Sequence, residues 1–184
     1  MHPNWIVLAG APSSGKTTLL EELRRQGFPC ATEPARAYME QELKKGVPME
    51  VIRADQEVLE RRVKEWERAD RASLPKDALV FVDSATDVDA LAYMRWFGIE
   101  PSASWIDDAR AVWFGAVYIM DRLPFELDGL RTENDVVAEF LDRELEKVYR
   151  LQGARVVRVP LLPPAERAAF ILEDLRAHGQ LLAA

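Results

Sequence analysis

Short, mostly apolar runs recur along the chain at Trp5–Ala9, Phe28–Thr32, Leu79–Val82, Ala116–Met120 and Val156–Val159, separated by longer stretches in which apolar positions return at helical spacing. Runs such as Ala78-Leu79-Val80-Phe81-Val82, with no polar residue to face water, suit strands covered on both sides in a parallel sheet. The intervening patterns predict helices over Lys16–Gln26, Ala35–Lys45, Arg53–Ala72, Thr86–Phe97, Glu133–Leu151 and Ala165–Ala177. This alternation predicts an α/β fold of three layers, a five-stranded parallel sheet with helices on both faces. Gly27 as a C-cap, Gly153 at the end of the long helix and Pro163-Pro164 before the last one agree with these boundaries. Lys44–Val51, with Gly46 and Pro48, and Gly98–Trp105, with Pro101 and two serines, read as surface loops.

The junction after the first apolar run changes the picture most. Gly10-Ala11-Pro12-Ser13-Ser14-Gly15-Lys16-Thr17-Thr18 follows a strand pattern and opens a helical one, which is both the spacing and the context of a phosphate-binding P-loop. Gly10 and Gly15 allow backbone angles that let successive N–H groups curl around phosphate oxygens, and the helix N-terminus adds its positive dipole end. Lys16 supplies a cation for the β- and γ-phosphates, and the Thr17 hydroxyl stands where Mg²⁺ is ligated. Gly10, Ser13, Ser14, Gly15, Lys16, Thr17 and Thr18 are therefore the candidate nucleotide-binding residues, with Thr18 doubling as a helix-start residue. ATP and Mg²⁺ are the expected cofactors. ATP is favoured over GTP because Met120-Asp121-Arg122-Leu123 stands where a switch GTPase would carry Asn-Lys-x-Asp.

Composition narrows the class further. The 184 residues and 48% hydrophobic content suit one domain with a real core. The net charge of −7, with basic residues interspersed among acidic ones, argues against a nucleic-acid partner. No apolar stretch approaches the roughly 18 residues that span a bilayer, and the lone Cys30 forms no internal disulfide, so a cytoplasmic protein is expected. Cys30 reads as strand packing. One cysteine with His2 and His178 near opposite termini makes no zinc pattern.

Residues at strand ends carry the candidate chemistry, because ligands of open α/β sheets collect there. Asp83 closes the third run and reads as a magnesium-holding or substrate carboxylate, or else as a helix N-cap. Asp87 and Asp89, just inside the next helix, favour its dipole or touch substrate. Glu33 ends the second run and is the candidate general base for an attacking hydroxyl, with a cap or ion pair as the plainer role. Arg36 either pairs with Glu33 or binds substrate. After the fourth run, Arg131 beside Gly129 is the better candidate for an arginine that closes over the transferring phosphoryl, and Arg122 the second, in a lid around 122–135. Tyr38, Trp66, Tyr93, Trp96, Phe97 and Trp105 are candidates to stack on a planar acceptor or to fill the core. Glu57–Arg71, with five acidic and five basic residues, reads as a solvated helix face without chemistry. Tryptophans in the Ser102–Phe114 segment are expected to be exposed, at a lid or a homodimer contact.

These motifs together resemble the P-loop kinase-like family of small bacterial ATP-binding proteins related to the ribosylnicotinamide kinase domain of the bifunctional NAD-regulatory protein. The resemblance rests on GAPSSGKTT, Glu33-Pro34-Ala35-Arg36, the Val-Phe-Val-Asp strand ending at Asp83 with Leu91-Ala92-Tyr93 after it, and Asp128-Gly129-Leu130-Arg131. The pair Glu33 and Asp83 is also similar to the acidic strand-end pair of deoxynucleoside kinases, which implies phosphorylation of a nucleoside-like hydroxyl with the earlier carboxylate as base. Many relatives carry arginine after the third-strand acid, whereas this chain has Ser84-Ala85. The expectation is a small-molecule kinase with Lys16, Glu33, Asp83 and Arg131 in catalysis and Glu33, Arg36, Tyr38 and Asp87 at the acceptor. The alternatives are an ATPase switch acting through a protein partner and a 5′-hydroxyl polynucleotide kinase.

Overall fold

The computed structural model describes residues 4–31, 34–112, 114–122 and 135–181. In chain order these form β1 (Trp5–Ala9), α1 (Lys16–Arg25), β2 (Cys30–Ala31), α2 (Pro34–Lys44), α3 (Met49–Ile52), α4 (Gln56–Arg71), β3 (Val80–Asp83), α5 (Thr86–Trp96), α6 (Ala103–Ala111), β4 (Ala116–Met120), α7 (Asp135–Leu151), β5 (Val156–Val159) and α8 (Pro164–Ala177). The sheet is five-stranded with order β2-β3-β1-β4-β5. Every neighbouring pair is parallel, with Leu8 beside Asp83 on one side of β1 and beside Tyr118 on the other.

Alternation along β1 divides the core. Ile6 and Leu8 point into a cluster with Leu19 and Leu23 of α1 and Ile171 and Leu175 of α8, whereas Trp5, Val7 and Ala9 point into one with Leu91 of α5 and Leu141 and Leu145 of α7. Both faces are thus dry, as the unbroken runs required. A smaller cluster of Met39, Ile52, Leu59 and Val63 joins α2, α3 and α4 beside the main core. Among the described residues, no helix is long and apolar enough to cross a membrane.

The structure corrects the sequence reading at several points. Among the described residues the second strand pairs over Cys30–Ala31, at one edge of the sheet. The helix expected from Arg53 begins at Gln56, capped by Asp55, whose carboxylate accepts from the Val58 N–H at 3.0 Å. Within the expected loop at 44–51, Met49 begins one helical turn that buries Ile52. The expected loop at 98–105 runs into α6, whose buried positions Trp105 and Ala109 lie four residues apart. A nine-residue helix with two core positions leaves too short a pattern to stand out in sequence. Trp105 is accordingly buried, not exposed, with the Lys64 ammonium 4.3 Å from its ring centre. Trp113 lies outside the described residues.

Candidate active site

The loop between β1 and α1 is shaped for close approach. Gly10 has φ +147°, and a Cβ there would stand 2.8 Å from Ser14 Oγ and 3.3 Å from the Met120 carbonyl oxygen, so any side chain at this position would be both strained and crowded. Gly15, at φ +85°, precedes α1 without a side-chain cap, and no acidic residue sits in the first turn. That leaves the leading N–H groups and the dipole for an anion. The Ser14 hydroxyl is buried and meets no hydrogen-bond partner among the described residues, as expected of a group that waits for a phosphate oxygen. Lys16 is buried, and its ammonium donates to the carbonyls of Gly10 at 2.9 Å and Ala11 at 3.3 Å, folding back over its own loop. Thr17 and Thr18 are exposed at the helix start.

One cavity meets this loop and another the first turns of α1. The first, of about 230 Å³, is lined by Gly10, Pro12 and Lys16 on the loop side and by Arg36, Met39, Arg53, Glu60, Ser84, Asp89, Tyr93 and Trp96 among others beyond it. The second, of about 220 Å³, brings Thr17 of α1 together with Asp83 of β3 and with Arg36 and Glu40 of α2. A buried carboxylate and a hydroxyl are the hard oxygen donors that Mg²⁺ accepts beside phosphate oxygens, so the residues present fit that ion. Among the described residues there is no cluster of three or more His, Cys, Asp or Glu that would hold a metal by itself.

The predicted site residues separate into groups. Gly10, Lys16 and Arg36 line the first cavity, Thr17, Arg36 and Asp83 the second. Asp87 points elsewhere: it is buried in an ion-pair cluster, 2.8 Å from Lys64 and 3.5 Å from Arg68, which also hold Asp108 of α6. Asp89, two residues on and facing inward, lines the first cavity in its place. Tyr38 packs against the Met39–Val63 cluster outside the cavity lining, its hydroxyl pushed up chiefly by burial. Of the aromatic candidates, Tyr93, Trp96 and Phe97 line the first cavity. Arg122 is paired with Asp135 at the start of α7. Glu33, Arg131 and most of the expected lid lie outside the described residues.

A family model described as an AAA domain matches residues 5–167, most of the chain. The chain belongs to that family. No curated protein matches it. Among solved structures, the NadR protein in complex with NR aligns with 99% of this chain at a TM-score of 0.72 and 15% identity, and the chain spans 52% of that protein's length. Shikimate kinase from Aquifex aeolicus aligns over 95% of this chain and 98% of its own, with a TM-score of 0.54 and 20% identity. Thymidylate kinase from Ehrlichia chaffeensis aligns over 96% and 100%, with a TM-score of 0.66 and 13% identity. At such identities the likeness establishes the architecture, which is the P-loop kinase-like fold.

The fold also recruits residues that the sequence reading left without chemistry. Glu60, Lys64, Glu67 and Arg71 are all buried along one face of α4, so the expected solvated helix face is corrected. Their spacing of four, three and four was the available signal, but acids and bases on the opposite face masked it. Glu60 accepts from Gln56 Nε2 at 2.5 Å, and burial pushes its carboxyl up to about 7. Asp89 is also raised, first by burial, against the lowering effect of the Tyr149 hydroxyl that donates to it at 2.6 Å. Arg167 of α8 donates to the Ser14 carbonyl at 2.7 Å and to that of Asp121 at 3.5 Å, tying the phosphate loop to the end of β4.

The shift at Glu60 makes a prediction about stability. The free carboxyl titrates near 4.5 and the folded one near 7, so between these values the folded state keeps a proton that the unfolded chain has released. The resulting stabilisation is complete below the lower value and is lost as pH rises toward the upper one. Glu60→Gln should therefore flatten that decline by about 3 kcal/mol, and the variant should gain on the wild type as urea unfolding is followed from pH 5 to 8. Glu67, also pushed up to about 7, leaves its own share of the slope in the variant.

Proposed function

We propose that this chain is an ATP- and Mg²⁺-dependent kinase that transfers the γ-phosphoryl group to a hydroxyl of a small, nucleoside-like or related metabolite. One observation carries the reading: the phosphate loop opens through Gly10 and Lys16 directly onto a walled cavity that combines aromatic side chains with buried carboxyls. At about 230 Å³, the cavity suits a small molecule rather than a polymer.

In this mechanism the N–H groups of residues 13–17 and the Lys16 ammonium bind the β- and γ-phosphates and stabilise the charge that develops in transfer. Thr17 and Asp83 would hold Mg²⁺, whose charge would offset that of the phosphoryl oxygens. Tyr93, Trp96 and Met39 give the acceptor an apolar seat, and Glu60 and Asp89 accept hydrogen bonds from its hydroxyl groups. Glu33, immediately before the cavity-lining Pro34, takes the proton of the attacking hydroxyl, and Arg131 closes over the transferring group. The lining carries Lys16, Arg36 and Arg53 beside Glu60 and Asp89, so an acceptor meets hydrogen-bond donors as well as acceptors there.

The test is ADP production from Mg·ATP against a panel of nucleosides, sugars, amino alcohols and short 5′-hydroxyl oligonucleotides. One small compound should stimulate turnover, and Glu33→Gln should lower that turnover by about 10²–10⁴-fold while nucleotide affinity is kept. Stimulation by the oligonucleotides alone would transfer the reading to a polynucleotide kinase. Slow hydrolysis that no compound stimulates would favour the switch acting through a protein partner.

A further inference from the structure

Among the described residues, only Ser13 and Ser84 hold a positive φ without being glycine. Ser13 belongs to the phosphate loop. Ser84, at φ +71°, stands between Asp83, which lines the second cavity, and the Thr86 start of α5, and itself lines the first cavity beside Asp89. A side-chain-bearing residue in that conformation is strained and persists only where its surroundings over-determine it.

What over-determines Ser84 comes from α4. Arg71 Nη2 donates to the Ser84 carbonyl at 3.0 Å, and the Glu67 carboxylate accepts from the Thr86 N–H at 3.1 and 3.3 Å. The two side chains pair with each other at 2.5 Å. Both are buried, Glu67 at 2% and Arg71 at 8% exposure. The guanidinium is also seated against the rings of Trp5 and Phe114, 5.6 and 5.8 Å from their centres, so the clamp is rooted in the β1 side of the core. Ala85 supplies no side-chain cap to α5, and Glu67 takes that place from a different helix. On the other flank the Ser84 N–H is held by the Leu8 carbonyl at 3.1 Å.

We infer that Glu67 and Arg71 are positioning residues for the metal nucleotide: by gripping the backbone on both sides of Ala85, they set where the Asp83 carboxylate stands relative to Thr17. The inference rests on the reading of Asp83 and Thr17 as the residues that hold Mg²⁺. A buried ion pair with a merely structural role would affect folding and leave ion dependence alone. A positioning pair changes the ion's contribution to nucleotide binding, as partners one step behind a metal ligand do.

Calorimetric titration of the full chain with a non-hydrolysable ATP analogue, with and without Mg²⁺, separates these roles. In Glu67→Gln/Arg71→Met, which replaces the charged pair with neutral groups of similar size, the gain in affinity on adding Mg²⁺ should fall by about tenfold. Affinity without Mg²⁺, set by residues 10–17, should stay within about twofold of wild type. Arg71→Lys should lose an intermediate share, and it carries the test if the double variant fails to fold. Retention of the full Mg²⁺ gain overturns the inference, as does a parallel loss with and without the ion. Asp83→Asn distinguishes the two possible failures. If it abolishes the Mg²⁺ gain while the clamp variants keep it, the clamp alone falls; if it leaves the gain intact, the metal-site reading falls and takes the inference with it.

Discussion

Lys16→Ala is expected to lower acceptor-dependent ATP turnover by about 10²–10³-fold, the scale of removing one preorganised charge donor from a transferring phosphoryl group. Lys16 is 7% exposed, and its ammonium is held by two carbonyls of its own loop. Binding of a triphosphate would exchange those neutral acceptors for charged oxygens in the same place, a stronger interaction at no new cost in burial. Because negative charge on the bridging and terminal oxygens grows along the reaction, the loss should fall mainly on kcat at saturating ATP. A rise in KM alone, with kcat unchanged, would mean that Lys16 serves ground-state binding only. Lys16→Arg should recover little, since a planar fork does not fill the space of a compact ammonium under the glycine-lined loop.

Phe81→Ala is expected to have the largest effect on stability. Phe81 lies in the second-to-edge strand β3, is fully buried, and meets the Phe28 ring edge-on with centres 5.5 Å apart. It fills the layer between the sheet and α1, where Leu19, Leu20 and Leu23 cannot close over a void without moving the helix that opens at the phosphate loop. The cost should be about 3–5 kcal/mol, or a fall in Tm of roughly 6–20 °C for a chain of this size. Thermal unfolding followed by circular dichroism measures it. Val58→Ala, at a side chain 53% exposed on α4, should change stability by no more than about 0.5 kcal/mol. A small effect at Phe81 would mean that α1 can collapse onto the sheet, and nucleotide affinity should then shift with it.

Signals written in neighbouring residues were legible because their physics is local. The phosphate loop could be read from Gly10, Gly15, Lys16 and Thr17, since backbone freedom at two glycines and a cation at a helix start are properties of a nine-residue stretch. The parallel sheet could be read from strands with no polar face. The position of Asp83 at a strand end followed from where its apolar run stopped, and the structure extends β3 to include it. Short elements escaped: α6 shows two buried positions and β2 pairs over two residues, too little periodicity for either to register.

The acceptor side was less legible. Asp87 and Asp89 are equivalent in sequence, both acids in the first turn of α5, yet one pairs with Lys64 and the other enters the cavity. Two residues turn a helix by about 200°, so which acid faces inward depends on the rotation of α5 against α4 and α7. The same holds on α4, where Glu57 is only half-buried and Glu60 is buried at the cavity.

The sequence by itself therefore determined the architecture and the phosphate-binding loop, because both are encoded in residues adjacent along the chain. Only the tertiary structure decided which charges are buried, that Ser84 is held by a pair from another helix, and that Glu60 and Asp89 share a cavity with Lys16. A charged side chain on a helix with charges all around carries no local mark of burial. Its fate is set by the partner that packs against it, and that partner lies far away in sequence.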